Sequence, residues 1–201
     1  MPIQDNLIIW HFEETCNYDF YDRISVMDIA KDLTSRGIVL CAICTSFFTV
    51  HRVYQRGLKD LDSSIEQGWV AQLCCDVCKK YPALIPSFIM PHKHYKAEVI
   101  EAVIAEYESG RNIEHMVGCS ADISTMRRWV RQFGERCPQA IGWLLSILLS
   151  LYNRRISLIK LQNMSLLKLL ARLLYEFNLP KTSGIIGRVN IILTTQNCGF
   201  L

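Results

Sequence analysis

The chain lacks the features by which most catalytic folds are recognised. It has no glycine-rich phosphate loop, which removes the commonest nucleotide-binding signature. No Ser-His-Asp or Cys-His set stands out for nucleophilic catalysis. Acid is scarce in the second half: after Asp122 the only carboxylates are Glu135 and Glu176. Phosphoryl transfer by a transposase-type nuclease needs carboxylates to hold paired Mg²⁺ ions, and that set cannot be assembled there. The acid-rich stretch EETCNYDFYDRISVMDIAKD, residues 13–32, shows no strand-end placement of its acids and reads as a solvated face. These absences predict a protein that is not an enzyme and takes no small-molecule substrate.

Long apolar runs are also missing. The longest uncharged stretch near the C-terminus, CPQAIGWLLSILLSLYN at residues 137–153, falls short of the roughly 20 apolar residues a membrane span needs. A buried core helix and no membrane partner are expected. The opening MPIQDNLIIWHFEE has acidic flanks and no long apolar region with a cleavage site, so no secretory leader is expected and the expected location is cytoplasmic. There is no low-complexity tract and no internal repeat. Half of the residues are hydrophobic and a fifth are charged, which predicts a packed core rather than disorder.

What the chain does have is nine cysteines. In a reducing compartment, paired cysteine spacings read as metal or catalytic sites before disulfides. VLCAICTSFF holds Cys41 and Cys44, and QLCCDVCKK holds Cys75 and Cys78. The pattern Cys41-x2-Cys44-x30-Cys75-x2-Cys78 has the layout of a zinc ribbon. Each two-residue gap lets a tight turn aim two sulfurs at one tetrahedral Zn²⁺. The long spacer must hold a hairpin: FFTVHRVYQR and WVAQLCC are β-rich, and GLKDLDSSIEQG between them is turn-rich. Cys74 competes with Cys75 as a ligand, but its gap to Cys78 is looser. His51, His92 and His94 are fallback ligands. A redox dithiol needs only one pair, in a thioredoxin-like βαβ setting that neither pair shows. Cys119, Cys137 and Cys198 are isolated and read as packing residues, and His11 and Cys16 form no pattern.

Three prolines, Pro82, Pro86 and Pro91, mark an extended connector. A helix begins near Tyr95, with Val99, Ile100, Val103, Ile104 and Tyr107 at helical spacing and Glu98, Glu101, Glu106 and Glu108 on an acidic side; it stops at Gly110. A short helix over 112–117 and a turn with Gly118 as C-cap come next. The third helix, DISTMRRWVRQFGER, starts at Asp122 or Ser120. At 100° per residue, Ile123, Met126, Trp129, Val130 and Phe133 fall in one arc of about 120°. Ser124, Arg127, Arg128, Arg131 and Gln132 fall opposite. An apolar face backed by arginine and short polar residues suits a recognition helix, because Arg pairs with phosphates or guanine edges and Ser and Thr reach either. A solvated cationic face is the competing reading.

The Cys-x2-Cys, HRVYQRGL, second Cys-x2-Cys, LIPSFIMPHKHYKAEVIEAVIAEY and STMRRWVRQF segments together resemble an uncharacterised bacterial family over residues 38–135. Members of that family join a zinc-ribbon-like segment to a transposase-type helix-turn-helix and are often associated with mobile elements. The resemblance implies that Cys41, Cys44, Cys75 and Cys78 bind metal and that Ser124 to Arg131 open the recognition helix. It supports architecture more than activity. One departure is GCSADIS, where the family pattern is closer to LGVSxST.

The expected fold class is therefore α+β, mainly α. An N-terminal segment of unassigned role spans 1–37, a zinc-ribbon-like module 38–81, a Pro-rich connector 82–94, a helix-turn-helix 95–136 and a helical region 137–201. The expected partner is double-stranded DNA, contacted by Ser124, Thr125, Arg127, Arg128 and Arg131, with Arg52, Arg56 and Lys93 as further phosphate contacts. Zn²⁺ is the expected cofactor. In the last region, IGWLLSILLSLY and SLLKLLARLLYEFNLP read as two helices, the second ended by Pro180. Its leucine stripe (Leu166, Leu167, Leu169, Leu170, Leu173, Leu174 and Phe177) packs into the core or, second, forms a homodimer. The tail IIGRVNIILTTQ is expected to add a strand or stay loose. A zinc-stabilised protein-interaction adaptor without DNA binding is the alternative function.

Overall fold

The computed structural model describes residues 7–10, 22–86, 88–90, 93–116, 119–154, 156, 164–177 and 184–194. The chain is α+β and mainly helical. Strand β1 (Leu7–Trp10) and helix α1 (Arg23–Ser35) precede a long hairpin of β2 (Phe48–Lys59) and β3 (Ile65–Cys75), then β4 (Ala83–Pro86). Helix α2 (Ala97–Glu108), a single 3-10 turn (Ile113–His115), α3 (Ile123–Tyr152), α4 (Leu166–Glu176) and α5 (Ile185–Thr194) complete the order.

The sheet runs β1-β4-β3-β2. β2 and β3 pair antiparallel from Phe48↔Cys75 at one end to Lys59↔Ile65 at the other, with an irregularity between Val50 and Arg52. The turn occupies 60–64, narrower than the twelve-residue turn-rich stretch suggested, because Gly57, Leu58, Lys59 and Ile65 to Gly68 all pair. Strand alternation sets two faces. Ala71, Leu73 and Cys75 of β3 and Leu84 of β4 are buried against Val26, Ile29, Ala30 and Leu33 of α1, in a core that also takes Val39, Cys41 and Phe48. Leu58, Val70, Ile85 and Ile89 form a smaller cluster on the other face.

Helix α1, which precedes residue 38, thus belongs to the same core as the cysteine hairpin. Asp22 caps α1, accepting from the Ser25 N–H at 2.9 Å. Gly37, at φ +65°, ends the helix where an added Cβ would lie 2.8 Å from the Phe47 ring. Residues 83–86 of the expected connector are a strand pairing with both β3 and β1.

Helices α2 to α5 form a separate core. Its largest members include Trp129, Phe133, Ile100 and Ile104, and Tyr95 packs edge-on to Trp129 with ring centroids 4.9 Å apart. Helix α3 differs most from expectation. It continues unbroken through Gly134, Pro138 and Gly142 to Tyr152, so the 136/137 division lies inside one helix. The cause is phase: Cys137, Ala140, Ile141, Leu144 and Leu148 continue the buried stripe of Met126, Trp129 and Phe133, and that stripe outweighs one lost backbone hydrogen bond at Pro138. The expected helix over 112–117 is only one 3-10 turn. The tail expected as strand or loose chain is the helix α5, burying Ile186, Val189, Asn190 and Leu193 at i, i+3, i+4 and i+7.

Leu167, Leu170, Leu173 and Leu174 of α4 are buried within the chain, so the leucine stripe is taken up by packing. Helix α4 ends at Glu176, and Pro180, Gly118, His92, His11, Cys16 and Cys198 lie outside the described residues. No helix among the described residues is long and apolar enough to cross a membrane.

Candidate metal centre and basic helix face

Two turns of matching construction carry the four cysteines. In the first, the Cys41 N–H donates to the Ser46 carbonyl at 2.9 Å, and the Thr45 N–H donates to the Cys41 carbonyl at 2.8 Å. In the second, the Cys75 N–H donates to the Lys80 carbonyl and the Lys79 N–H to the Cys75 carbonyl, both at 2.9 Å. Each turn is closed by a non-glycine residue in the left-handed region, Thr45 at φ 56° and Lys79 at φ 55°. The repetition shows two knuckles of one design. Leu40 bridges Phe47 across the first, and the second follows directly from the end of β3.

The knuckles face each other. The sulfurs of Cys41, Cys44, Cys75 and Cys78 all lie within 4.8 Å of one another. Sulfurs in a tetrahedral thiolate site with metal–sulfur bonds of about 2.3 Å sit roughly 3.8 Å apart, so the donor set and its spacing fit a structural metal ion. Between the knuckles, the Cys41 and Cys78 sulfurs and the Cys44 and Cys75 sulfurs each lie 3.3 Å apart. All four sulfurs thus converge on one point rather than forming two separate dithiols. Cys41 and Cys75 are buried and Cys44 and Cys78 half-buried, so the site is anchored in the sheet core with one side toward the surface.

The thiols are unequal. The hydroxyl and backbone of Ser46 bond to the Cys44 sulfur and draw its pKa down to about 6. Burial, then the contact with Cys41, pushes Cys78 up to about 12. Cys74 stands outside the cluster, buried with its sulfur 3.9 Å from Asp76 Oδ1. His51 packs edge-on to Tyr81, and neither it nor the exposed His94 joins the four sulfurs. Cys137 is a buried member of the helical core, its thiol pushed up to about 12 by burial.

The basic residues of α3 sort by face. Met126, Trp129 and Phe133 are buried and Val130 half-buried, while Ile123, expected inside, is 42% exposed at the first turn. Ser124, Arg127, Arg128 and Arg131 are exposed and Thr125 half-buried. Asp122 is the N-cap residue, with no side-chain cap bond. Arg127 pairs with Glu114 of the 3-10 turn, and Arg131 lies 4.0 Å from Glu135. Arg52 is exposed on β2, where it donates to Gln72 Oε1 at 2.7 Å. Arg56, an expected phosphate contact, is half-buried and bonded within the chain. Its guanidinium donates to the Lys93 carbonyl at 2.6 Å and reaches the Met90 carbonyl, and burial lowers its pKa. It thereby braces the chain at Met90 and Lys93. Lys93 donates to Gln132 Oε1 on α3 at 2.8 Å.

Two structural features of α2 escaped the sequence reading. Glu108 accepts from the Leu166 and Leu167 N–H groups at the start of α4, and Glu101 accepts from Ile186 N–H at the start of α5. The signal was their i, i+7 spacing on one face of α2.

Over residues 41–129 the chain matches the family model described as a domain of unknown function (DUF6431). The matched stretch runs from the first knuckle cysteine to Trp129, taking in the four sulfurs, the hairpin and the opening turns of α3. No curated protein and no solved structure matches the chain.

Proposed function

We propose that this is a non-catalytic DNA-binding protein in which a zinc ribbon supports a helix-turn-helix, with α3 as the recognition helix. The observation that carries this reading is the division of α3, with Met126, Trp129 and Phe133 buried and Ser124, Arg127, Arg128 and Arg131 exposed. In such a fold the buried row seats the helix on α2 while the arginines meet phosphates and base edges. The middle helix is reduced here to one 3-10 turn. Zn²⁺ held by Cys41, Cys44, Cys75 and Cys78 would cross-link the knuckles and supply folding energy rather than chemistry. A regulatory or transposon-associated role rests on the resemblance of residues 38–135 to the ribbon and helix-turn-helix family.

The test is an Arg127→Ala, Arg128→Ala, Arg131→Ala triple variant against a labelled duplex. Affinity should fall strongly, and the slope of log K against log salt should lose about 0.9 for each phosphate contact removed. Equal binding by variant and wild type would exclude α3 as the DNA-binding element.

A second reading, a zinc-stabilised interaction adaptor, is favoured by a different observation. Ile43 and Val77, at the two knuckle tips, are 52% and 67% exposed, and Phe47 beside them is 63% exposed. Exposed apolar groups gathered at one end suit a protein partner. Absence of salt-dependent DNA binding, together with a stable partner complex in light scattering, would favour the adaptor.

A further inference from the structure

A second basic row runs beside the expected recognition row of α3. Arg128, Gln132 and Arg136 stand at i, i+4 and i+8, so they line one flank over about 12 Å of helix axis. Lys93 reaches this row from the connector and donates to Gln132, the residue between Arg128 and Arg136 along the row. Arg128 and Arg136 are exposed and Lys93 is half-buried.

The connector under Lys93 is held firmly. Its carbonyl accepts from the Arg56 guanidinium at 2.6 Å, and its N–H donates to the Met90 carbonyl at 3.3 Å. Among the described residues no carboxylate pairs with Lys93. The nearest acid on α3, Glu135, lies by Arg131 in the other row. Burial and then the charges of Arg128 and Arg136 lower the pKa of Lys93, so the Lys93 ammonium is repelled by its two neighbours. A bound anion would relieve that repulsion.

We propose that Lys93, Arg128 and Arg136, spaced by Gln132, form a clamp for the phosphodiester backbone of duplex DNA, flanking the Ser124, Arg127 and Arg131 row that reads bases. This rests on the DNA-binding reading above and divides its labour: the clamp fixes position and the other row gives specificity. Arg56 serves the clamp indirectly, by fixing the connector.

The test uses the full chain and separates this claim from its parent. Arg136→Gln lies on an exposed turn of α3 and leaves the core untouched, and Lys93→Gln keeps an amide donor for Gln132. Anisotropy is measured for each variant, the double variant and the Arg127/Arg128/Arg131 alanine triple, on a preferred and a random duplex across a salt series. The clamp predicts a slope reduced by about 0.9 for each contact removed, with the preferred-to-random affinity ratio unchanged. Unaltered slopes in both glutamine variants, with binding lost in the alanine triple, would overturn the clamp and leave α3 as a DNA-binding helix. A changed affinity ratio in Arg136→Gln would overturn its assignment to the backbone. Tighter binding of single-stranded RNA than of duplex, or competition by inorganic phosphate at constant ionic strength, would overturn the duplex backbone as the ligand. Wild type that binds no duplex at any salt would overturn the clamp and the DNA-binding reading together.

Discussion

At the scale of single residues, the centre depends on which cysteine of Cys74-Cys75 turns toward Cys78. Cys75 does, because β3 alternation places it with Ala71 and Leu73 toward α1, while Cys74 lies against Asp76. Cys75→Ser should therefore abolish metal binding and lower the melting temperature, whereas Cys74→Ser should keep the full metal content; a zinc-release titration with a chromogenic chelator checks both. The spacing of the four cysteines was legible in the sequence. The left-handed backbone at Thr45 and Lys79 was not, since glycine is the usual signal for such a turn and neither position carries one. Lys79→Gly should be tolerated without loss of metal, because it removes a strained Cβ from a closed knuckle.

Elements show where periodicity succeeds and where composition misleads. The hairpin strands and α2 followed from their patterns. Within helix α3, Pro138 and the change from arginine-rich to leucine-rich sequence look like a boundary, although the buried positions keep their phase across it. An added Cβ at Gly142 meets nothing within 4 Å, and the position is exposed. Gly142→Ala should thus raise stability by about 0.5–1 kcal/mol in denaturant unfolding. A loss would mean that the helix breaks there. The glutamates of α2 read as an acidic side, yet two of them, spaced i, i+7, hold the N-termini of helices far along the chain. Removing the Glu108 carboxylate with Glu108→Ala should cost about 0.5–2 kcal/mol, the range of a lost N-terminal cap, and should loosen α4 in hydrogen exchange.

For the whole molecule, the β2–β3 hairpin is a strut. The knuckles sit at its Phe48↔Cys75 end and the helical unit docks at its Lys59↔Ile65 end. The second junction is ionic: Lys96, 12% exposed at the start of α2, bonds Asp60 at 2.5 Å and Glu66 at 2.9 Å. The Lys96 bond holds the Asp60 carboxyl below its ordinary value of 3.8. A lowered carboxyl pKa contributes stability that is present above the unfolded value and lost as pH falls through the folded one. The difference in melting temperature between wild type and Asp60→Asn should accordingly be present at pH 7 and vanish in acid below the lowered pKa. A difference independent of pH would remove the ion pair from the junction. None of this was visible in the order of residues, because Asp60, Glu66 and Lys96 meet only after the hairpin folds back on α2.

The direct measurement is anisotropy of a labelled random-sequence duplex with the metal-loaded full chain, titrated with salt. Binding at micromolar concentration or below that weakens steeply as salt rises is the predicted result, since phosphate neutralisation by the α3 face releases counterions. No binding at low salt, with metal shown to be in place, would contradict the account.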